Sequence, residues 1–415
     1  MVDYLLCADW SKQFKGRALY AADVRARKLF RVEGPGLTVY YALEKARELA
    51  AGKNVLLSFD LPLGLPQSFL SAIRTARHWE GALSFIEFLP IAARTPLFFV
   101  SGSDASAWNV WKPFFDVPSG QGARKAFAAK AEREGIQLRR EIERKTRGNS
   151  VFITSGIPGS VGSGAIDAWK ELASLLPLKR DFKVWPFEGS LSDIFASSRI
   201  VIAENYPRAI YAAALSDLTS DKRPLLQISK TKVNVRKSAL ECLTSRSWIA
   251  NYGVSIEDTT AALADENSFD ALLTTAGLLR VLLDDEQLSS PRFEDSVAEG
   301  GILGTGTINF DLPQTGFSLA AGNETSPDEI KTARASILSA VTTVAVTVPR
   351  IRKKDSLEST YLCPIPKCTK RFIGGRGGWD GHAGSLKNHP DWHPAVSCQK
   401  DRVQLFRVEF PWFFS

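Results

Sequence analysis

Residues 54–66 read Asn-Val-Leu-Leu-Ser-Phe-Asp-Leu-Pro-Leu-Gly-Leu-Pro, and no other stretch limits the possible folds more. The apolar run into Phe59 predicts a buried strand. It ends at a carboxylate, Asp60, after which Pro62, Gly64 and Pro66 stop the strand and turn the backbone. An ionised Asp at the mouth of a buried strand is costly unless something pairs with it. In α/β sheets that position is where ligands and metals bind. The plainer alternative is that Asp60 caps the helix that follows.

The segment before it has the same character. Tyr4 to Ala8 is a short apolar strand ending at Asp9, followed by Trp10-Ser11-Lys12. Arg17 to Val24 and Lys28 to Val32 read as two more strands across the charged turn Arg25-Ala26-Arg27. Thr38 is placed to cap a helix to about Ala51, with Leu43, Ala46, Leu49 and Ala50 on one face. The order is strand, strand, strand, helix, strand, and two of those strands end in Asp.

Residues 67–195 are less regular. Ser68 to Arg77 reads as a helix, and the aromatic, Pro-containing stretch Ala93 to Val117 as a substrate-facing insertion. Ala123 to Arg147 reads as one charge-dense helix carrying Arg139, Arg140 and Arg144, either a solvated face or a phosphate-binding one. Gly156 to Gly164 holds four glycines but no following Lys-Ser/Thr, so it reads as a loop and not a P-loop.

Arg199 to Ala203 is another β-branched run, and it ends in Glu204; Pro207 suits the first turn of a following helix. Lys230 to Thr244 predicts a basic amphipathic helix. Ala271 to Leu283 is helical and almost uniformly apolar, with Asp270 expected in its first turn, where the helix dipole favours an anion. Asp9, Asp60 and Glu204 thus each end a strand, and Asp270 opens a buried helix. Several anionic groups share one small site only if cations neutralise them. Oxygen ligands suit hard cations, Mg²⁺ or Mn²⁺. Two such ions about 4 Å apart clamp the attacking water and the leaving oxygen of a phosphodiester.

This order of elements, with acids at those places, resembles the RNase H-like superfamily, and within it a bacterial family of predicted RNase H-like nucleases. The residues that carry the resemblance are Asp9 at the end of the first strand, Asp60 with Pro62-Leu63-Gly64-Leu65-Pro66, Glu204 with Pro207, and Asp270-Ala271-Leu272. Lys230, Arg236 and the Glu299-Gly300 turn fall where the family has similar residues. The resemblance spans roughly residues 1–306. The chain departs from it at Trp10-Ser11-Lys12, at Tyr206-Pro207-Arg208 and at Asn267. It implies an α/β fold, an RNase H-like mixed sheet flanked by helices over about 1–310, with 67–195 as an insertion. It also implies a metal-dependent nuclease whose catalytic and Mg²⁺- or Mn²⁺-binding residues are Asp9, Asp60, Glu204 and Asp270.

The tail has a second signature. Tyr361-x-Cys363-x4-Cys368-x3-Phe372 resembles the first half of a two-Cys, two-His zinc finger, and Trp379-x2-His382-x6-His389 resembles its helix. Thirteen residues separate Cys368 from His382, and three of the chain's four histidines lie here. Thiolate and imidazole ligands at this spacing suit tetrahedral Zn²⁺. His389 is the expected fourth ligand and His393 the alternative, because the spacer between His382 and His389 is long. A helix over 327–346 and the basic linker Arg350 to Lys354 lead into this module, which is placed at 355–415.

Five cysteines, an odd number, argue against a disulfide framework and for a reducing, cytoplasmic compartment. No apolar run reaches bilayer length and no signal-peptide pattern opens the chain, so no membrane partner is expected. A formal charge of +7 permits nucleic acid as partner, and the finger suits nucleic-acid or protein docking. Two rival readings stand. One is a non-catalytic nucleic-acid-binding protein of the same fold. The other is an actin-like-fold kinase, favoured only by Gly304-Thr305-Gly306.

Overall fold

Five parallel apolar runs and one hairpin arm build the centre of the molecule. In the computed structural model, β1 (Tyr4–Asp9), β2 (Ala18–Asp23), β3 (Lys28–Arg31), β4 (Val55–Phe59), β5 (Phe182–Val184), β6 (Ile200–Asn205), β7 (Ser255–Ile256) and β8 (Ile302–Leu303) form one eight-stranded mixed sheet. The structure describes residues 2–317, apart from 12, 35, 77–82, 120–121 and 179, and the backbone of 360–362 and 371–373. The order is β7-β3-β2-β1-β4-β6-β8, and β5 shares the outer edge of β6 with β8. Only β2 runs antiparallel to β1; β4, β6 and β8 follow β1 in parallel. The chain divides into two compact units, Met1–Asp328 and Glu329–Ser415.

Both faces of the sheet are covered, which is why its central strands lack polar alternation. One face carries Leu6, Ala8, Leu57, Phe59 and Ile202 into a core shared with α1 (Val39–Leu49) and α2 (Gly162–Leu175). The other carries Leu5, Cys7, Leu56, Val201 and Ala203 against α3 (Pro207–Leu215), α4 (Val233–Thr244) and α5 (Glu266–Leu283). Thr38 caps α1 by accepting from Tyr41 N–H at 2.9 Å, and Pro207 opens α3 in its first turn, as expected.

The segment between β4 and β5 differs from its sequence reading in three ways. Most aromatics of residues 93–117 are core residues: Phe98, Trp108, Phe114 and Phe115 are buried, and Phe99 and Trp111 partly so. Phe98 and Phe114 join Phe69, Phe85, Phe88, Phe152 and Trp169 in edge-to-face and tilted contacts with centroids 4.7–6.4 Å apart, while Trp108 and Phe115 pack on Phe127, edge-on at 5.7 Å and stacked at 4.5 Å. The long charged helix is two helices, Ala123–Arg133 and Glu141–Thr146, because Gly135 at φ +70° ends the first. The glycine stretch is only partly loop, since Gly162 and Gly164 lie inside α2, where Gly162 packs against the Val151 and Ile153 carbonyls.

Of the tail, the described backbone is a short antiparallel pair, Thr360–Leu362 with Arg371–Ile373, in the register Tyr361 to Phe372. Cys363, Cys368, His382, His389, His393, the expected helix over 327–346 and the linker Arg350 to Lys354 lie outside the described residues.

Candidate active site at the strand ends

Parallel register brings two of the acids side by side. Ala8 pairs with Phe59, so Asp9 and Asp60 are the next residues on adjacent strands, and Asp60 N–H donates to the Ala8 carbonyl at 2.8 Å. Side chains alternate along a strand. Leu5 and Cys7 enter the α3/α5 core, as does Leu56, so Asp9 and Asp60 project to that same face. Asp270 reaches it from α5, where Phe269, Ala271, Leu272 and Leu273 pack on the sheet. It is not in the first turn. Asp265 caps α5 by accepting from Ser268 N–H, so Asp270 is the helix's fifth residue and fully buried. Its place follows from facing inward, not from the helix dipole.

Glu204 goes the other way. It lies opposite Phe59 in the β4/β6 ladder, flanked by Ile200 and Ile202 of the α1/α2 core, and so points to the face away from Asp9 and Asp60. There Arg140 binds it with both Nη groups, at 2.8 and 2.6 Å, and Leu63 N–H donates to it at 2.6 Å. Arg140 Nε also holds Glu143 at 2.9 Å, and its Nη1 donates to the Glu299 carbonyl. Arg140 is thus neither a solvated charge nor a phosphate ligand; it is 1 % exposed and neutralises a buried acid. The residue of β6 that does share a face with Asp60 is Asn205. It is 2 % exposed, its Nδ2 donates to Ser58 Oγ at 2.8 Å, and its Oδ1 is buried without a hydrogen-bond partner.

Asp270 is engaged at both oxygens. Tyr211 of α3 donates to Oδ1 at 2.5 Å, and the Lys230 ammonium contacts Oδ2. Lys230 is not on α4 but in the turn before it. Arg236 is on α4, 4 % exposed, and donates to the carbonyls of Lys230, Leu263 and Ala264.

Burial sets the electrostatics. The Asp9 carboxyl is pushed well above the usual carboxylate range, first by burial and then by the Asp60 charge. Asp60 is raised to about 7, first by burial, against the lowering charge of Lys230 and a hydrogen bond shared with Asp9. Glu204 is raised by burial, with Arg140 pulling the other way. Tyr211 is raised by burial and by the charges of Asp9 and Asp60. Among the described residues no group of three or more His, Cys, Asp or Glu side chains stands in a metal-holding arrangement. Of the four acids, Asp9 and Asp60 adjoin, Asp270 faces them through Lys230, and Glu204 is taken up by Arg140.

The sequence does not single out Asn205 or Tyr211, and it places Arg140 on a charged helix without its partner Glu204. Only Asn205 had a usable signal there, its place one residue beyond Glu204 and so on the opposite face of the strand. Gly304-Thr305-Gly306 is not an open phosphate loop. Thr305 and Thr307 are buried, and a side chain at Gly306 would meet the Gln287 and Ser289 carbonyls.

No family model, curated protein or solved structure matches this chain. Fold and site define an α/β protein with acidic groups at the ends of parallel strands. No helix among the described residues is long and apolar enough to cross a membrane.

Proposed function

We propose that this chain is a divalent-metal-dependent phosphodiesterase acting on nucleic acid, with an RNase H-like core and a C-terminal zinc finger for docking. The observation that carries this reading is the adjacency of Asp9 and Asp60 on one sheet face, with the unpartnered Asn205 Oδ1 on the strand beside Asp60. Two carboxylates and a neutral carbonyl oxygen are the donor set that Mg²⁺ or Mn²⁺ prefers. A mixed sheet with an antiparallel second strand supports the RNase H-like assignment.

Asp9, Asp60 and Asn205 are the residues that would hold the cation. When bound, it supplies a Lewis acid for a phosphoryl oxygen and lowers the pKa of a ligated water. The chain's own part is binding and orientation. Tyr211 and Lys230 fix Asp270, and Trp10 closes the strand end from the α1/α2 side through its hydrogen bond to the Gly164 carbonyl at 3.1 Å. Trp169 donates to the Pro62 carbonyl at 2.7 Å and pins the loop after Asp60.

A groove of about 640 Å³ opens beside β2, lined among others by Phe14, Lys15, Arg31, Glu33 and Tyr41. Phe14 is 50 % exposed, and the turn that bears it meets α5 where Asn267 Nδ2 donates to the Gly16 carbonyl. An exposed ring beside cationic side chains suits a base and its phosphate. In the tail, a backbone hairpin whose two strands bracket Cys363 and Cys368 supports the finger reading.

The test is cleavage of single-stranded, duplex and branched DNA and RNA with Mg²⁺, Mn²⁺ or chelator. Divalent-dependent cleavage that Asp9→Asn and Asp60→Asn abolish is the expected result. Binding of the same substrates without cleavage of any would establish the non-catalytic alternative.

A further inference from the structure

A single exposed aromatic ring is ordinary on a protein surface. What sets Phe14 apart is how it is held. The Arg17 guanidinium lies 3.9 Å from the centre of the Trp10 ring and 4.2 Å from that of Phe14, so the cation is layered between the two rings. The Arg17 side chain is fully buried, and its Nε and Nη1 donate to the Ser11 and Leu37 carbonyls at 2.8 and 2.9 Å. Trp10 in turn meets Phe59 edge-on at 5.5 Å and is tied to the Gly164 carbonyl. The series Phe59, Trp10, Arg17, Phe14 rises out of the core, and its last ring is 50 % exposed.

The turn that bears this ring is fixed from several sides. Phe14–Gly16 is one turn of 3₁₀ helix. Ser11 Oγ donates to the Gln13 carbonyl at 2.7 Å, Arg17 N–H to the Phe14 carbonyl at 3.1 Å, and Asn267 Nδ2 to the Gly16 carbonyl. A ring held this way binds a flat partner with little further loss of freedom.

Its place is at the same end of the sheet as the acids. Trp10 follows Asp9 and Phe59 precedes Asp60, so the series starts beside the two acids, on the face away from them. Ala18, the residue after Arg17, pairs with Asp9 in the β1/β2 ladder. Asn267 lies three residues before Asp270, about 4.5 Å along the axis of α5. A chain laid across the ends of the strands therefore reaches both the acids and the ring. Among the described residues, the charged side chains lining the groove beside Phe14 are Lys15, Arg17, Arg31 and Glu33, three cations against one acid. That balance favours phosphates, and an open ring face favours a base. A base inside a duplex has its faces stacked and its edge paired, so a lone ring takes an unpaired one.

We propose that Phe14 is a stacking platform for one unpaired base, with Lys15 and Arg31 beside it for the flanking phosphates, and that the substrate of the strand-end site is single-stranded nucleic acid. This rests on the metal-nuclease reading above.

The test is binding by the full chain carrying Asp9→Asn, so that nothing is cut. The probes are oligothymidylate and relaxed closed-circular duplex DNA, which offers no unpaired base and no end. This parent should bind the single strand more tightly than the duplex. Adding Phe14→Leu, which keeps an apolar side chain and removes the π face, should weaken single-strand binding about tenfold, the loss of one base stack, and leave duplex binding unchanged. Phe14→Tyr should bind as the parent does. A parent without single-strand preference would overturn the proposal, and so would a folded Phe14→Leu protein that keeps its single-strand affinity or loses affinity for both probes equally. Divalent-dependent cleavage by wild type would leave the nuclease reading intact in each of those cases. If Phe14→Leu does not fold, the preference of the parent decides alone. No binding of either probe, together with no cleavage by wild type, would remove the nuclease reading and the proposal with it.

Discussion

The two Nη groups of Arg140 grip Glu204, at 2.8 and 2.6 Å, where the residues are 1 % and 4 % exposed. Removing one partner of a buried pair strands the other charge in the interior. Arg140→Ala leaves both Glu204 and Glu143 without their cation and is expected to cost about 3–5 kcal/mol. Adding Glu204→Gln should recover part of that loss. Urea unfolding of the three proteins checks this, and an Arg140→Ala protein as stable as wild type would contradict the pairing.

The face assignment separates the acids by experiment. Asp9→Asn and Asp60→Asn should abolish both Mn²⁺ binding and divalent-dependent cleavage. Glu204→Gln, which alters a group on the opposite face, should keep Mn²⁺ affinity within a few fold of wild type. Equal loss in all three variants would return Glu204 to the metal site.

The buried acids make stability depend on pH in a definite direction. Asp60 in the folded protein titrates near 7, above the unfolded value of about 3.9. Between those values the folded state holds a proton that the unfolded chain has released, so stability falls as pH rises through this window. Asp9 and Glu204 are raised too and act with the same sign. In chelator, the melting temperature should fall from pH 5 to pH 7.5, less steeply in Asp60→Asn. Mg²⁺ competes with these protons and should raise the melting temperature more at pH 8 than at pH 6.

Gly300 supports the loop after Asp60 from behind. Its φ is +75°, and a side chain there would meet the Leu63 carbonyl at 2.3 Å. Leu63 is the residue whose N–H binds Glu204. Gly300→Ala is therefore expected to destabilise by at least about 1–3 kcal/mol. Thermal unfolding of that variant beside Gly253→Ala, where φ is +62° but nothing crowds the added carbon, isolates the steric part.

For the tail, elemental analysis is expected to find about one zinc per chain, as a closed structural site requires. It should be lost in the Cys363→Ala, Cys368→Ala double variant and on acidification, since both thiols must be deprotonated. Deleting residues 350–415 should weaken nucleic-acid binding and flatten its salt dependence. Unchanged binding by the deleted form would make the finger a packing element.

The sequence by itself determined the strands, the helix caps and the residues that stop them. Val55–Phe59 is apolar but for the buried Ser58, because both its faces are covered. Thr38 and Pro207 mark helix starts by local chemistry, and Asp9 and Asp60 mark the ends of two neighbouring strands. These are properties of a few consecutive residues, and periodicity records them. Tertiary structure alone decided what each charge faces. Arg140 and Arg236 have the composition of a wet surface, yet both are buried, because each finds acceptors more than twenty residues away in sequence. Glu204 looked equivalent to Asp60, but one residue of register in the β4/β6 ladder sends it to the opposite side of the sheet. Lys230 meets Asp270 across the fold, where Arg236 of α4 also holds the Lys230 carbonyl and the Leu263 and Ala264 carbonyls just before α5. Strand propensity is local, whereas the partner of a buried charge is set by packing between distant segments.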